Sequence, residues 1–170
     1  MTEAPFLVIV APDETGRPRR GKPPYNSALY LDPEGGIAGR FDKTELVLFS
    51  EQIPLADRLP WIEKILPAEA GRFSRGHDIV TFPLRTAAGG DFRLGPMICF
   101  EDIITGYARK LAALRPHLLV NITNDVWFGD TSGPWEHFAL SVFRTVELRT
   151  GLVRAVNTGV TAVVDPTGRV

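Results

Sequence analysis

With a single cysteine in 170 residues, the chain can form no disulfide of its own and no Cys-rich zinc site. Its three histidines, His77, His117 and His137, lack ligand-type spacing, so no metal site and no cofactor is expected. No stretch approaches the ~20 apolar residues that a membrane-spanning helix needs. Met1-Thr2-Glu3-Ala4-Pro5 lacks the charged-then-apolar layout of a signal peptide. The formal net charge of −1 gives no reason to expect nucleic acid or an anionic membrane surface as a partner. Arg17, Arg19, Arg20 and Lys22 do cluster, but the prolines and glycines among them mark a solvated loop. There are no internal repeats and no low-complexity tract.

What remains is ordinary for a globular chain: 44% hydrophobic and 23% charged residues. The length suits one domain, by itself soluble. The chain opens almost at once into the apolar run Phe6-Leu7-Val8-Ile9-Val10 and stops just after the turn Asp165-Pro166-Thr167-Gly168. Such abrupt ends suggest a piece of a longer protein.

Short β-like runs alternate with helical stretches. Residues 6–10 read as a buried strand. Residues 25–31 and 37–41 flank Asp32-Pro33-Glu34-Gly35-Gly36, a strong turn signal, and so predict a hairpin. Residues 46–49 are short and apolar; 55–66 are amphipathic and interrupted by Pro60. Residues 79–84 and 92–99 predict two more strands. Apolar positions Ile103, Ile104, Tyr107, Leu111 and Leu114 make a helical stripe over 101–114. Residues 117–123 predict a buried strand. Pro134 sits where a first-turn proline belongs, and Phe138, Val142, Phe143 and Val146 mark the inner face of the helix that follows. Residues 152–156 and 160–164 pair across Asn157-Thr158-Gly159. The pattern is α/β, with helices packed on sheet faces. A chain this short covers one face of one sheet, and something else must cover the other.

Cys99 draws attention because a strand ends at it and a helix is predicted to begin at Glu101. A thiol at such a junction feels the positive end of the helix dipole, which lowers its pKa, and the N–H groups of the turn can serve an oxyanion. The competing reading is an inert buried cysteine. None of the histidines suggests a Cys–His pair: His77 lies in a polar turn, His117 starts a strand, and His137 falls on the polar side of its helix. Lys43 is a better partner, since it follows a strand, where α/β sites are built, and an ammonium there stabilises a tetrahedral intermediate. Glu51 could hold that ammonium in place. Both are residue types that are usually solvated.

Several blocks taken in order carry a resemblance: Tyr25-Asn26-Ser27-Ala28; Phe41-Asp42-Lys43-Thr44-Glu45-Leu46-Val47-Leu48-Phe49-Ser50-Glu51; Cys99-Phe100-Glu101; Asn124-Asp125-Val126-Trp127-Phe128-Gly129; Gly133-Pro134-Trp135-Glu136-His137; and Arg154-Ala155-Val156-Asn157-Thr158-Gly159. Together they resemble the nitrilase (carbon–nitrogen hydrolase) superfamily, and within it the extracytoplasmic domain of bacterial apolipoprotein N-acyltransferases. The resemblance implies an α-β-β-α sandwich, incomplete at both ends, over residues 1–170. It also implies covalent acyl transfer from a phospholipid, through a cysteine thioester, to the N-terminal amine of a lipoprotein's diacylglyceryl-cysteine. Carried over by motif, Cys99 is the nucleophile, Lys43 the oxyanion stabiliser and Glu51 the glutamate that orients the site, with Phe100 and Glu101 supporting the elbow. Trp127 and Phe128 either shape an acyl pocket or are core aromatics, while Asn124 and Asp125 are expected to bond loop backbone. The implied location is the periplasmic face of the bacterial inner membrane, reached through parts of the protein outside this chain.

The chain departs from the family pattern in places. Leu48 and Ser50 stand where the family usually has Pro and Gly, and Phe100 replaces a usual Tyr. The family's general-base glutamate lies upstream of the strand matched by residues 6–10, and Glu3 is too close to that strand to take the role. A truncated domain of low isolated activity is therefore expected. Two alternatives stay open: a soluble nitrilase-family amidase acting on a small amide, and a non-catalytic remnant that binds acyl chains or a partner.

Overall fold

A computed structural model describes residues 6–10, 24–53, 73–86 and 88–170, the first of these as backbone only. Two sheets form. The smaller is antiparallel, in the order β1 (Phe6–Val10), β2 (Ser27–Leu31), β3 (Ile37–Asp42). The larger runs β4 (Phe82–Arg85), β5 (Asp91–Ile98), β6 (Leu118–Thr123), β7 (Gly151–Val156), β8 (Ala162–Val164). Its three central strands are parallel and its two edge strands antiparallel. The chain thus builds two sheets, where composition and length alone suggested one.

The β2–β3 hairpin follows from its turn. The Asp32 carboxylate accepts the Gly36 N–H at 2.6 Å, and Gly35 takes φ +84°, which a side chain would oppose. Helices α1 (Thr105–Ala113) and α2 (Gly133–Leu148) follow β5 and β6. α1 lies close over β5: a Cβ on Gly95 would sit 3.0 Å from Pro116 and 3.1 Å from the Leu111 side chain, so a larger residue there would push on its neighbours. One core then draws on both sheets and both helices. It includes Ala28, Tyr30 and Phe41 from the small sheet, Phe82, Met97, Leu119 and Leu152 from the large one, and Tyr107, Leu111 and Phe138 from the helices. Tyr30 stacks on Phe82 at 5.1 Å between ring centres, which joins the two sheets.

The short apolar stretch 46–49 makes only an isolated bridge, Leu48 to Gln52. Two expectations change. The helix predicted from Glu101 is split into a 3-10 turn, Cys99–Ile103, and α1, with Ile104 extended between them and Leu114 exposed. Finally, α2 does not turn Phe143 and Val146 inward, since both are exposed. Its buried residues are His137, Phe138, Ser141 and Thr145; Phe138 joins the core, while His137 meets buried carboxylates. The Ser141 and Thr145 hydroxyls are satisfied by donating to the carbonyls of Phe138 and Val142 at 2.7 and 2.8 Å. The amphipathic stretch at 55–66 lies outside the described residues. Among the described residues, no helix is long and apolar enough to cross a membrane.

Candidate active site

The parallel strands β5, β6 and β7 end side by side, and the loops at their carboxyl ends are where open α/β sheets collect ligands. Cys99 follows β5 directly. Its φ of +52° lies in the left-handed region, which costs a non-glycine residue about 1–2 kcal/mol and turns the chain sharply. Neighbouring bonds hold that turn. The Asn121 amide donates to the Cys99 carbonyl at 2.9 Å, and Glu101 Oε2 accepts the Ile98 N–H at 2.8 Å.

Glu101 does more than close the turn. Its other oxygen accepts the N–H groups of Thr44 and Glu45, at 2.7 and 3.1 Å, and the Thr44 hydroxyl at 3.1 Å. One fully buried carboxylate therefore ties the backbone before Cys99 to the backbone after Lys43. Burial pushes its pKa up to about 7, against the pull of those N–H donors and the Lys43 charge. Glu101→Gln would turn an amide N–H2 toward N–H donors. The expected loss is about 1–3 kcal/mol of stability, read by urea unfolding.

Lys43, just past β3, is completely buried. Its ammonium donates to Glu51 Oε2 at 2.6 Å. Glu51 also accepts the Val47 N–H at 3.0 Å and the Asn26 amide at 3.1 Å, so both of its oxygens are engaged. It therefore anchors the lysine rather than standing open to receive a proton. Of the three N–H donors of the lysine, Glu51 takes one.

Cys99 and Glu51 share the wall of a cavity of about 370 Å³ with Asn26, Val47, Ser50, Phe73, Ile98, Phe100, Ile122, Asn124, Trp127 and Phe128. The lining is largely aliphatic and aromatic. Trp127 is 66% exposed and Phe128 half-buried, which rules out core packing as the role of Trp127. Asn124 accepts the Val126 N–H at 3.1 Å, as expected of a loop residue.

The thiol itself is not as expected. It stands on a 3-10 turn, with the α-helix starting only at Thr105, so the expected helix N-terminus does not begin at Glu101. Burial pushes the Cys99 pKa up, and the Lys43 charge and a hydrogen bond with Thr123 only partly oppose it; Glu51 and Asp102 add to the rise. These surroundings disfavour the thiolate of Cys99.

Behind the turn lies a cluster that the sequence reading missed. Arg154, in the middle of β7, is fully buried and donates to Asp102, Asp125 (2.9 Å) and Asn121 (3.4 Å). His137, read as lying on a polar helix face, is buried between the same two carboxylates: Nε2 is 2.9 Å from Asp102 and Nδ1 2.9 Å from Asp125. Asp125, expected to bond loop backbone, instead accepts the Thr123 hydroxyl at 3.1 Å and pairs with Arg154 and His137. The available signal was Arg154 itself, a charge inside an apolar strand, which needs buried counter-ions. His117 is the acceptor of the Arg93 N–H at 3.0 Å, and His77 lies beside a separate small cavity. Among the described residues, no three His, Cys, Asp or Glu side chains are arranged to hold a metal. Glu3 lies outside the described residues.

An apolipoprotein N-acyltransferase of Geobacter metallireducens is 45% identical over 145 residues, covering 85% of this chain and 27% of that protein. One from Rhizobium meliloti is 44% identical over 152 residues, covering 87% and 28%. The chain thus spans a little over a quarter of the length of these relatives. Among solved structures, the NitFhit protein of C. elegans superposes with a TM-score of 0.62 at 22% identity, covering 97% of this chain and 38% of that one. An amidase of Nesterenkonia sp. AN1 superposes with a TM-score of 0.59 at 21% identity, covering 86% and 49%. These likenesses show the nitrilase-type fold. The carbon–nitrogen hydrolase family model matches residues 2–170, and the chain belongs to that family.

Proposed function

We propose that this chain carries the acyl-transfer site of an apolipoprotein N-acyltransferase. The observation that carries the reading is a lone thiol on a strained turn, opening onto an apolar cavity, with a buried lysine and its glutamate beside it. Relatives at 44–45% identity bear that name, and they support the choice of substrate.

The chemistry follows in two steps. A base removes the thiol proton, and Cys99 Sγ attacks the carbonyl carbon of a phospholipid acyl ester. The oxyanion that forms is stabilised by Lys43. The ester C–O bond then breaks, the thioester remains on Cys99, and the lysophospholipid leaves with the proton. In the second step the α-amine of a diacylglyceryl-cysteine attacks the thioester. The C–S bond breaks, an amide forms, and the amine's proton passes through the base back to the sulfur. Glu51 is engaged at both oxygens, so the base is a separate group.

An apolar lining suits an acyl chain better than a small polar amide, which sets the amidase reading behind this one. The test uses the full-length protein with phosphatidylethanolamine vesicles and a synthetic diacylglyceryl-cysteinyl peptide. Mass spectrometry should find the acyl group in amide linkage on the peptide's N-terminus. Release of free fatty acid with no acylated peptide would favour a hydrolase instead.

A further inference from the structure

His137 stands outside the two steps just described, yet its ring touches both halves of the site. Its nitrogens reach Asp102, on the nucleophile turn, and Asp125, at the start of the loop that carries Trp127 and Phe128. Its faces meet the rings of Phe100, 5.8 Å away, and Phe128, 5.9 Å away, and both of these line the cavity. A single buried side chain thus joins the residue after the nucleophile to the aromatic wall opposite. Thr123 and Asn121, on the strand between, extend the same network: Thr123 bonds Asp125, and Asn121 bonds the Cys99 carbonyl.

We propose that His137 is a positioning residue, clamped between Asp102 and Asp125, that locks the nucleophile turn to the aromatic wall of the acyl cavity. The proposal rests on the acyl-transfer reading above. Its physical basis is that the clamp has two arrangements. As an imidazolium, His137 donates to both carboxylates, and two cations face two anions. As a neutral imidazole it donates from Nε2 to Asp102 only, and Nδ1 turns acceptor for Arg154 Nη2, 3.0 Å away. Asp125 then loses its bond to the ring, and Arg154 is left as the link between the two carboxylates. The charged groups facing the ring are Asp102 from the nucleophile turn, Asp125 from the loop after β6 and Arg154 from β7; on α2 itself, neighbouring Glu136 is exposed. Burial opposes the charged ring, but the Asp102 and Asp125 bonds raise the His137 pKa overall.

The test compares wild type with His137→Gln in the full-length protein, using two probes of Cys99. Iodoacetamide is small and needs no acyl cavity; p-nitrophenyl octanoate must seat its chain in it. In a variant that keeps the wild-type circular dichroism, octanoate acylation should fall about ten- to hundredfold, the size of effect expected when reacting groups are misplaced by ~1 Å. Alkylation should change by no more than about threefold. The wild-type acylation rate should also break from its rise with pH where the His137 ring titrates, as followed by NMR of the unmutated protein. The variant should show no break. The NMR comparison needs no variant, so it decides the question even if His137→Gln fails to fold. Equal acylation by a folded variant, or a break that does not coincide with the His137 titration, overturns the proposal. If wild type takes no octanoyl group on Cys99 at all, the acyl-transfer reading fails instead.

Discussion

Arg154→Met is expected to destabilise the protein by about 3–5 kcal/mol, the cost of leaving buried charges without their partner. Arg154, Asp102 and Asp125 are all but completely buried, and the guanidinium bonds both carboxylates. Methionine fills most of the volume, so the loss reports charge rather than packing. Against a typical total of about 5–15 kcal/mol, this is a large fraction. Urea unfolding at neutral pH measures it, and a loss below about 1 kcal/mol would mean that the carboxylates do not depend on Arg154. A pH series adds a sign. The folded-state pKa of His137 lies above its unfolded value, so its contribution is complete below the unfolded pKa and is lost as pH rises through the raised one.

Lys43→Ala is expected to slow acylation of Cys99 by about 10²–10³, the usual cost of losing one oxyanion donor. The release of p-nitrophenolate from an octanoate ester reads this directly. Lys43 is buried and tied to Glu51, so in the proposed mechanism its ammonium is held in place before charge develops on the substrate. The removal also takes away the strongest influence opposing the rise in the thiol pKa, so the variant's rate should depend more steeply on alkaline pH. A rate within about threefold of wild type would remove Lys43 from the mechanism.

Much of this arrangement was legible in the sequence, for identifiable reasons. The Asp32–Gly36 turn declared the hairpin because its chemistry is local. β6 was marked by its apolar stretch Leu118-Leu119-Val120, and β5 by the apolar residues that close it, Met97 and Ile98. Lys43, Glu51 and Cys99 were named through motif resemblance, and the geometry that unites them was not readable: 48 positions separate Glu51 from Cys99, and only the fold brings them to one cavity. The failures share one cause. Periodicity rules count apolar residues, and the buried stripe of α2 runs through His137, Ser141 and Thr145: the two hydroxyls are satisfied by carbonyls one turn back in the helix, and His137 by carboxylates far away in sequence. The same blindness hid Asp125. The surroundings of the thiol were not readable either: a 3-10 turn with Glu101 and Asp102 buried stands where a helix was expected, and burial weighs against the nearby lysine.

Everything rests on Cys99 as the acyl acceptor. The direct measurement is the intact mass of the full-length protein, incubated with phosphatidylethanolamine vesicles bearing palmitoyl chains and quenched in acid. The expected result is a palmitoyl group on the peptide containing Cys99, released by hydroxylamine and absent from Cys99→Ala. An acyl group that persists in Cys99→Ala, or that maps to another residue, would contradict the account.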